Sequence, residues 1–268
     1  MVKSNLFLRI LSAIILIPIA LLIIFKGNIS IFFFVISVIC IGSLSEYLNI
    51  IGTKSLVDKI LSYCFALSIL FIFSFYEKYL ALILAGYFCV FLLYLLFKYK
   101  TNDFINRAGS NLLGIIYFPI FLGFTLKISL FKNGNLWIFM LLLVNWLTDS
   151  FAYFVGVNFG KHKFSEISPK KSIEGLLGGI TGGILGALLV NYFFIKSDKW
   201  AVIAMLGFLG SIVGQLGDLF ESGIKRSAGV KDSGTIIPGH GGFMDRFDSL
   251  YFTGPLFYFF INFYFRGY

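Results

Sequence analysis

Charge is scarce in this sequence: Asp, Glu, Lys and Arg make up only 13% of its 268 residues. A soluble domain of that length needs far more polar surface, so an ordinary globular enzyme is excluded. Histidine is scarcer still, with His162 and His240 alone, and no Cys/His cluster has the spacing of a zinc site. The three cysteines, Cys40, Cys64 and Cys89, all lie inside apolar runs and read as reduced or lipid-buried small hydrophobes. No Walker-type loop and no Ser-His-Asp or Cys-His constellation stands out. These absences argue against covalent catalysis and toward displacement assisted by metal ions.

What the chain has in abundance is apolar sequence, with 58% hydrophobic residues and a mean hydropathy of +0.90. Repeated apolar runs of about 20 residues match the helix length that crosses a bilayer core of about 30 Å. The expected fold is an all-α polytopic membrane protein of about nine transmembrane helices. The spans fall near 6–26, 29–51, 56–76, 78–98, 110–131, 135–158, 173–195, 200–224 and 248–266. The first lacks a small-residue cleavage site and reads as a retained span, not a signal peptide. Nine spans place the termini on opposite sides. Of the 22 lysines and arginines, 15 then fall on the side of the N-terminus and 7 on the other. That bias puts the N-terminus and two long polar loops, 159–172 and 225–247, in the cytoplasm. Residues 1–134 read as a scaffold of about five helices, and 135–268 as the catalytic region. The net charge of +9 needs no nucleic acid, since basic loops and an anionic lipid or nucleotide account for it.

Within this apolar background, charges crowd into Gly217–Asp248, GDLFESGIKRSAGVKDSGTIIPGHGGFMDRFD. Gly and Pro interrupt the stretch, so its middle is not one helix. Asp218 and Glu221 are three residues apart and share a helix face, with Lys225 a turn further on. Asp245 and Asp248 repeat that spacing at the start of the last span. Gathered carboxylates repel one another unless cations hold them, and Mg²⁺ takes a few carboxylates with water and phosphates. An interfacial salt-bridge network is the competing reading. Upstream, Asp149 sits with Asn145 in an otherwise apolar helix, where a carboxylate needs a cation, a metal or water. Lys170 and Lys171, beside Ser168 and Pro169 at a helix entrance, form an anion cradle, while Ser172 and Glu174 read as caps. Glu46 near the end of the second span reads as a structural cap or ion-pair partner. Gly175, Gly179 and Gly183, like Gly178, Gly182 and Gly186, recur every four residues. Such faces fit close helix packing, which would bring the two polar loops together, and they also offer a surface for a homodimer.

Ser222, Ile224, Lys225, Arg226, Lys231, Asp232, Gly234, Ile237, Pro238, His240, Gly241, Gly242, Asp245, Arg246, Phe247 and Asp248 together resemble the C-terminal signature of the phosphatidate cytidylyltransferases. DSFAYFVGVNFGKHKF, ISPKKSIEG and GDLFES extend the resemblance over about 149–250. Val157 departs from it, standing where many relatives carry a basic residue. The resemblance implies that CTP and phosphatidate give CDP-diacylglycerol and pyrophosphate with Mg²⁺, and leaves room for a second, monovalent ion. It implies that Asp218, Asp245 and Asp248 hold metal, with Lys225 and Arg226 also catalytic. Ser168, Lys170, Lys171, Lys231, Asp232, Asp149 and His240 are then candidates for contacts to CTP and the lipid phosphate. Neutralising Asp245 would abolish turnover in a folded protein. The site would face the cytoplasm at the inner membrane of a bacterium, with phosphatidate drawn from that leaflet. A CTP-dependent polyprenol or phytol kinase is the related alternative. A transporter is the alternative from another class, disfavoured because the polar groups gather on one side and no inverted repeat is visible.

Overall fold

The computed structural model describes residue 14 and residues 17–98, 104–234 and 241–265. Among them are nine helices and no strand. An apolar helix α1 covers Ile17–Lys26, with α2 at Ile29–Ile50, α3 at Leu56–Phe75 and α4 at Leu80–Lys98. Then come α5 (Phe104–Ile128), α6 (Gly134–Phe159), α7 (Ile173–Val190), α8 (Trp200–Ser227) and α9 (Met244–Tyr264). Seven of these, α2 through α8, are long and apolar enough to cross a membrane, as expected of a polytopic membrane protein. The last helix has 21 residues but begins with Asp245, Arg246 and Asp248 and is less apolar. Much of the expected first span lies outside the described residues.

The helix boundaries follow local chemistry. Asn28 accepts the Ile31 amide at 3.0 Å to start α2, and Ser172 accepts the Gly175 amide at 3.1 Å to start α7; each satisfies an amide the helix leaves unpaired. Glu174 closes the loop before α7, accepting from the amides of Lys161 and His162 at 3.1 and 3.3 Å. Ser172 caps α7 as expected, whereas Glu174 ties back the loop that follows α6. Turns on the same edge are tied together: Lys127 Nζ meets Glu77 Oε2 at 2.5 Å, and Lys98 Nζ meets Asp58 Oδ1 at 2.6 Å. Both pairs join segments that nine alternating spans put on one side.

Packing is tightest along the run from α6 to α9, and glycine makes it possible. A Cβ on Gly183 would stand 2.7 Å from Ser211 Cβ and 2.8 Å from Thr148 Oγ1, while one on Gly207 would stand 2.7 Å from the Gly183 carbonyl. Gly178 and Gly182 meet Val155, Leu147 and Phe151 of α6 in the same way. The glycine faces of α7 are therefore consumed within the chain, on α6 and α8, which leaves them unavailable to a second copy. One apolar core runs from α1 to α9, and a smaller one joins α3, α4 and α5.

Candidate active site

A second glycine row, on α8, seats the last helix. Gly210 faces Phe257, Gly214 faces Thr253 and Ser249, and a Cβ on Gly217 would lie 2.9 Å from the Asp248 carbonyl. With the backbones this close, the first turns of α9 press against the end of α8. Asp218 and Glu221 of α8 and Asp248 of α9 consequently gather, with one carboxylate oxygen from each all within 4.8 Å of one another.

Compensation for these three charges is uneven. Lys171 Nζ, from the loop before α7, reaches Asp218 Oδ2 at 2.6 Å. The Ser249 amide donates to Asp248 Oδ1 at 2.6 Å. Glu221 is 1% exposed. Its Oε2 lies 2.6 Å from Lys225 Nζ, whereas its Oε1 has no hydrogen-bond partner among the described residues. A buried carboxylate oxygen left without a donor is costly, because the charge has lost its water and gained nothing in exchange. Three converging carboxylates with one such oxygen suit a hard divalent cation.

Asp245 is not in this cluster, although it shares a helix turn with Asp248. Its Oδ1 accepts from Lys225 Nζ at 2.6 Å, and its Oδ2 accepts from the Ser233 and Gly242 amides, each at 2.9 Å. Both of its oxygens are occupied, by Lys225 Nζ and by the two amides. Lys225 in turn spans Glu221 and Asp245. Next to them stands Glu46 of α2, 3% exposed, accepting from the Phe243 and Met244 amides at 2.9 Å each and from Ser233 Oγ at 2.7 Å. Glu46 thus caps α9 from the other end of the sequence. Gly242 cannot be larger, since a Cβ there would overlap Glu46 Oε2 and Ser233 Oγ, and Gly241 adopts φ +85°, a conformation that favours glycine.

Around the rim, Asp149 is exposed and lies within electrostatic reach of Asp218, Lys171 and Arg246. Ser168 O accepts the Lys171 amide at 3.0 Å, closing the turn that aims this lysine at Asp218. Lys170 and Lys231 are exposed and have no ion-pair partner among the described residues. Asp232 is exposed as well, and Arg226 donates to the Val230 carbonyl at 2.9 Å. His240 lies outside the described residues.

The sequence matches the cytidylyltransferase family over residues 7–264. The chain belongs to that family. Proteins named phosphatidate cytidylyltransferase are similar to it: that of Bacillus subtilis (strain 168) is 40% identical over 162 residues, 60% of each chain. That of Staphylococcus aureus (strain COL) is 42% identical over 159 residues, 59% of this chain and 60% of the relative. The matched part of the chain thus spans about 60% of the length of these curated relatives.

In this member of the cytidylyltransferase family, then, Asp218, Asp248, Lys171 and Asp149 come together as candidates, with Lys225 bracing one edge. Arg226, Lys231, Asp232 and Lys170 sit further out on the two loops. Glu221 is the member the motif pattern did not single out. Its signal was its place three residues after Asp218, but Lys225, four residues further on, offered a salt bridge as an equal explanation.

Proposed function

We propose that this chain transfers a cytidylyl group from CTP to phosphatidate. The observation that carries this reading is the cluster of half-buried Asp218 and Asp248 around buried Glu221, with its uncompensated Glu221 oxygen, in a chain of the cytidylyltransferase family. A phosphatidate oxygen attacks the α-phosphorus of CTP, the bond to the β-phosphate oxygen breaks, and pyrophosphate leaves. The lipid phosphate is already an anionic nucleophile, so the protein's work is to align it and to offset repulsion among phosphates.

Asp218, Glu221 and Asp248 are the residues that would hold Mg²⁺, and when bound the ion neutralises phosphate charge at the reacting centre. Lys171 is placed to exchange Asp218 for a phosphate oxygen. Lys170, Lys231 and Arg226 supply further positive charge from the loops, and Ser168 shapes the turn that presents Lys171. Asp149, Asp232 and His240 remain polar candidates for the nucleotide. Asp245 acts through Lys225 and the loop amides by holding α9 and Glu221 in register. We place the site at the cytoplasmic face of a bacterial inner membrane, where both substrates meet.

The test uses purified protein in mixed micelles with phosphatidate and α-labelled CTP. Label in the lipid, released pyrophosphate and loss of both under EDTA are the expected result. No labelled lipid under any metal condition would overturn the reading, and label passing from γ-labelled CTP to a prenol would move the chain to the kinase class.

A further inference from the structure

Three tyrosines, Tyr47, Tyr117 and Tyr251, are buried among the described residues. A phenol inside a protein normally finds a hydrogen-bond partner, because its O–H has lost water. Tyr47 donates to the Ser110 carbonyl at 2.8 Å, and Tyr251 donates to Ser43 Oγ at 2.6 Å. Tyr117, 7% exposed, has none among the described residues: its hydroxyl is shielded and unpartnered there.

The position of Tyr117 makes this absence informative. Its ring packs at 5.5 Å from Phe220 and 5.3 Å from Tyr251. Phe220 immediately precedes Glu221, and Tyr251 is one helical turn beyond Asp248, so the ring lies beside the acid cluster at the seam of α5, α8 and α9. The carboxylates of Glu221 and Asp248 are within electrostatic reach of its hydroxyl. They make no hydrogen bond with it, so the proton is free for another acceptor. A ligand there must present an oxygen acceptor among aromatic walls. On the outer side of the seam, Phe220 is 39% exposed and Leu216, one turn before it, is 45% exposed; Leu113, one turn before Tyr117, is 44% exposed. This rim is apolar on membrane-spanning helices. An acceptor that reaches the hydroxyl past it carries an apolar body, which a free nucleotide does not.

We propose that the Tyr117 hydroxyl is the hydrogen-bond donor to the phosphate of the lipid substrate, which reaches the acid cluster along the seam between α5 and α8. The inference rests on the reading of the cluster as the cytidylyl-transfer site and names the residue that recognises the lipid's headgroup there.

Tyr117→Phe removes one oxygen and keeps the ring packing, so the variant should fold as the wild type does. The decisive measurement is equilibrium binding of a fluorescent short-chain phosphatidate to wild type and variant in detergent, without turnover. Binding weakens about tenfold in the variant, as loss of one hydrogen bond to a charged group requires. The KM for phosphatidate rises with it, while the KM for CTP and Mn²⁺ affinity by electron paramagnetic resonance stay unchanged. Equal phosphatidate binding by the two proteins would overturn the proposal. So would weakened Mn²⁺ binding, which would put the hydroxyl on a metal-bound water. Wild type that binds phosphatidate through Tyr117 yet transfers no label would refute the reaction and leave the donor assignment standing. Wild type that turns over with no difference in the variant would do the reverse.

Discussion

Glu221 and Asp245 look interchangeable on paper, two acids beside one lysine, yet their hydrogen bonding gives them opposite expectations. Glu221→Gln keeps the shape and removes the charge that a cation would meet. Its activity should fall by about 100-fold or more, the equivalent of about 3 kcal/mol of lost charge stabilisation, with weaker Mn²⁺ binding and an unchanged unfolding temperature. Asp245→Ala should instead act on stability. It leaves the Ser233 and Gly242 amides without their acceptor and breaks half of a buried ion-pair bridge, a loss of about 3 kcal/mol visible in thermal unfolding in detergent. Mn²⁺ affinity that drops in a fully stable Asp245→Asn protein would restore that residue as a ligand. The sequence pattern could not separate Asp245 from Asp248, because both sit at the same spacing on the same turn. What separates them is Ser233 and Glu46 holding the start of α9, contacts up to 198 residues apart in sequence.

At the scale of elements, the glycine rows were legible and their purpose only partly so. Four-residue spacing announces close packing, and the helix ends of α2, α3, α7 and α8 fall within a few residues of the expected spans. Spacing alone does not say which neighbour each face meets. The row on α8 proved to be the seat of α9, and hence the reason Asp248 stands beside Asp218. Gly217→Val should force α9 away from α8, costing about 1–3 kcal/mol through overpacking and lowering metal affinity together with stability. Gly109→Ala is the matched control, since a Cβ at Gly109 meets nothing within 4 Å. That change should be neutral or stabilising by up to about 1 kcal/mol through helix propensity. Thermal unfolding of both variants under the same detergent conditions makes the comparison.

For the whole molecule, charge and span count together predict sidedness. In a cysteine-free background, single cysteines at Lys163 and Lys231 should label from one face of sealed vesicles, and those at Lys132 and Lys199 from the other. Labelling of Lys163 and Lys231 from opposite faces would break the alternation on which a shared site depends. The contact between α2 and the start of α9 also bears on how such a chain is made. Glu46 is synthesised 197 residues before the Phe243 amide that it accepts, a delay of roughly 10–40 s at about 5–20 residues per second. Throughout that interval the carboxylate must wait at the membrane edge, solvated or held by a helper. A ribosome that stalls before α9 leaves behind an insertion intermediate with an unsatisfied acid in α2. The arrival of α9 therefore also seals α2, and until it arrives the acid cluster lacks Asp248.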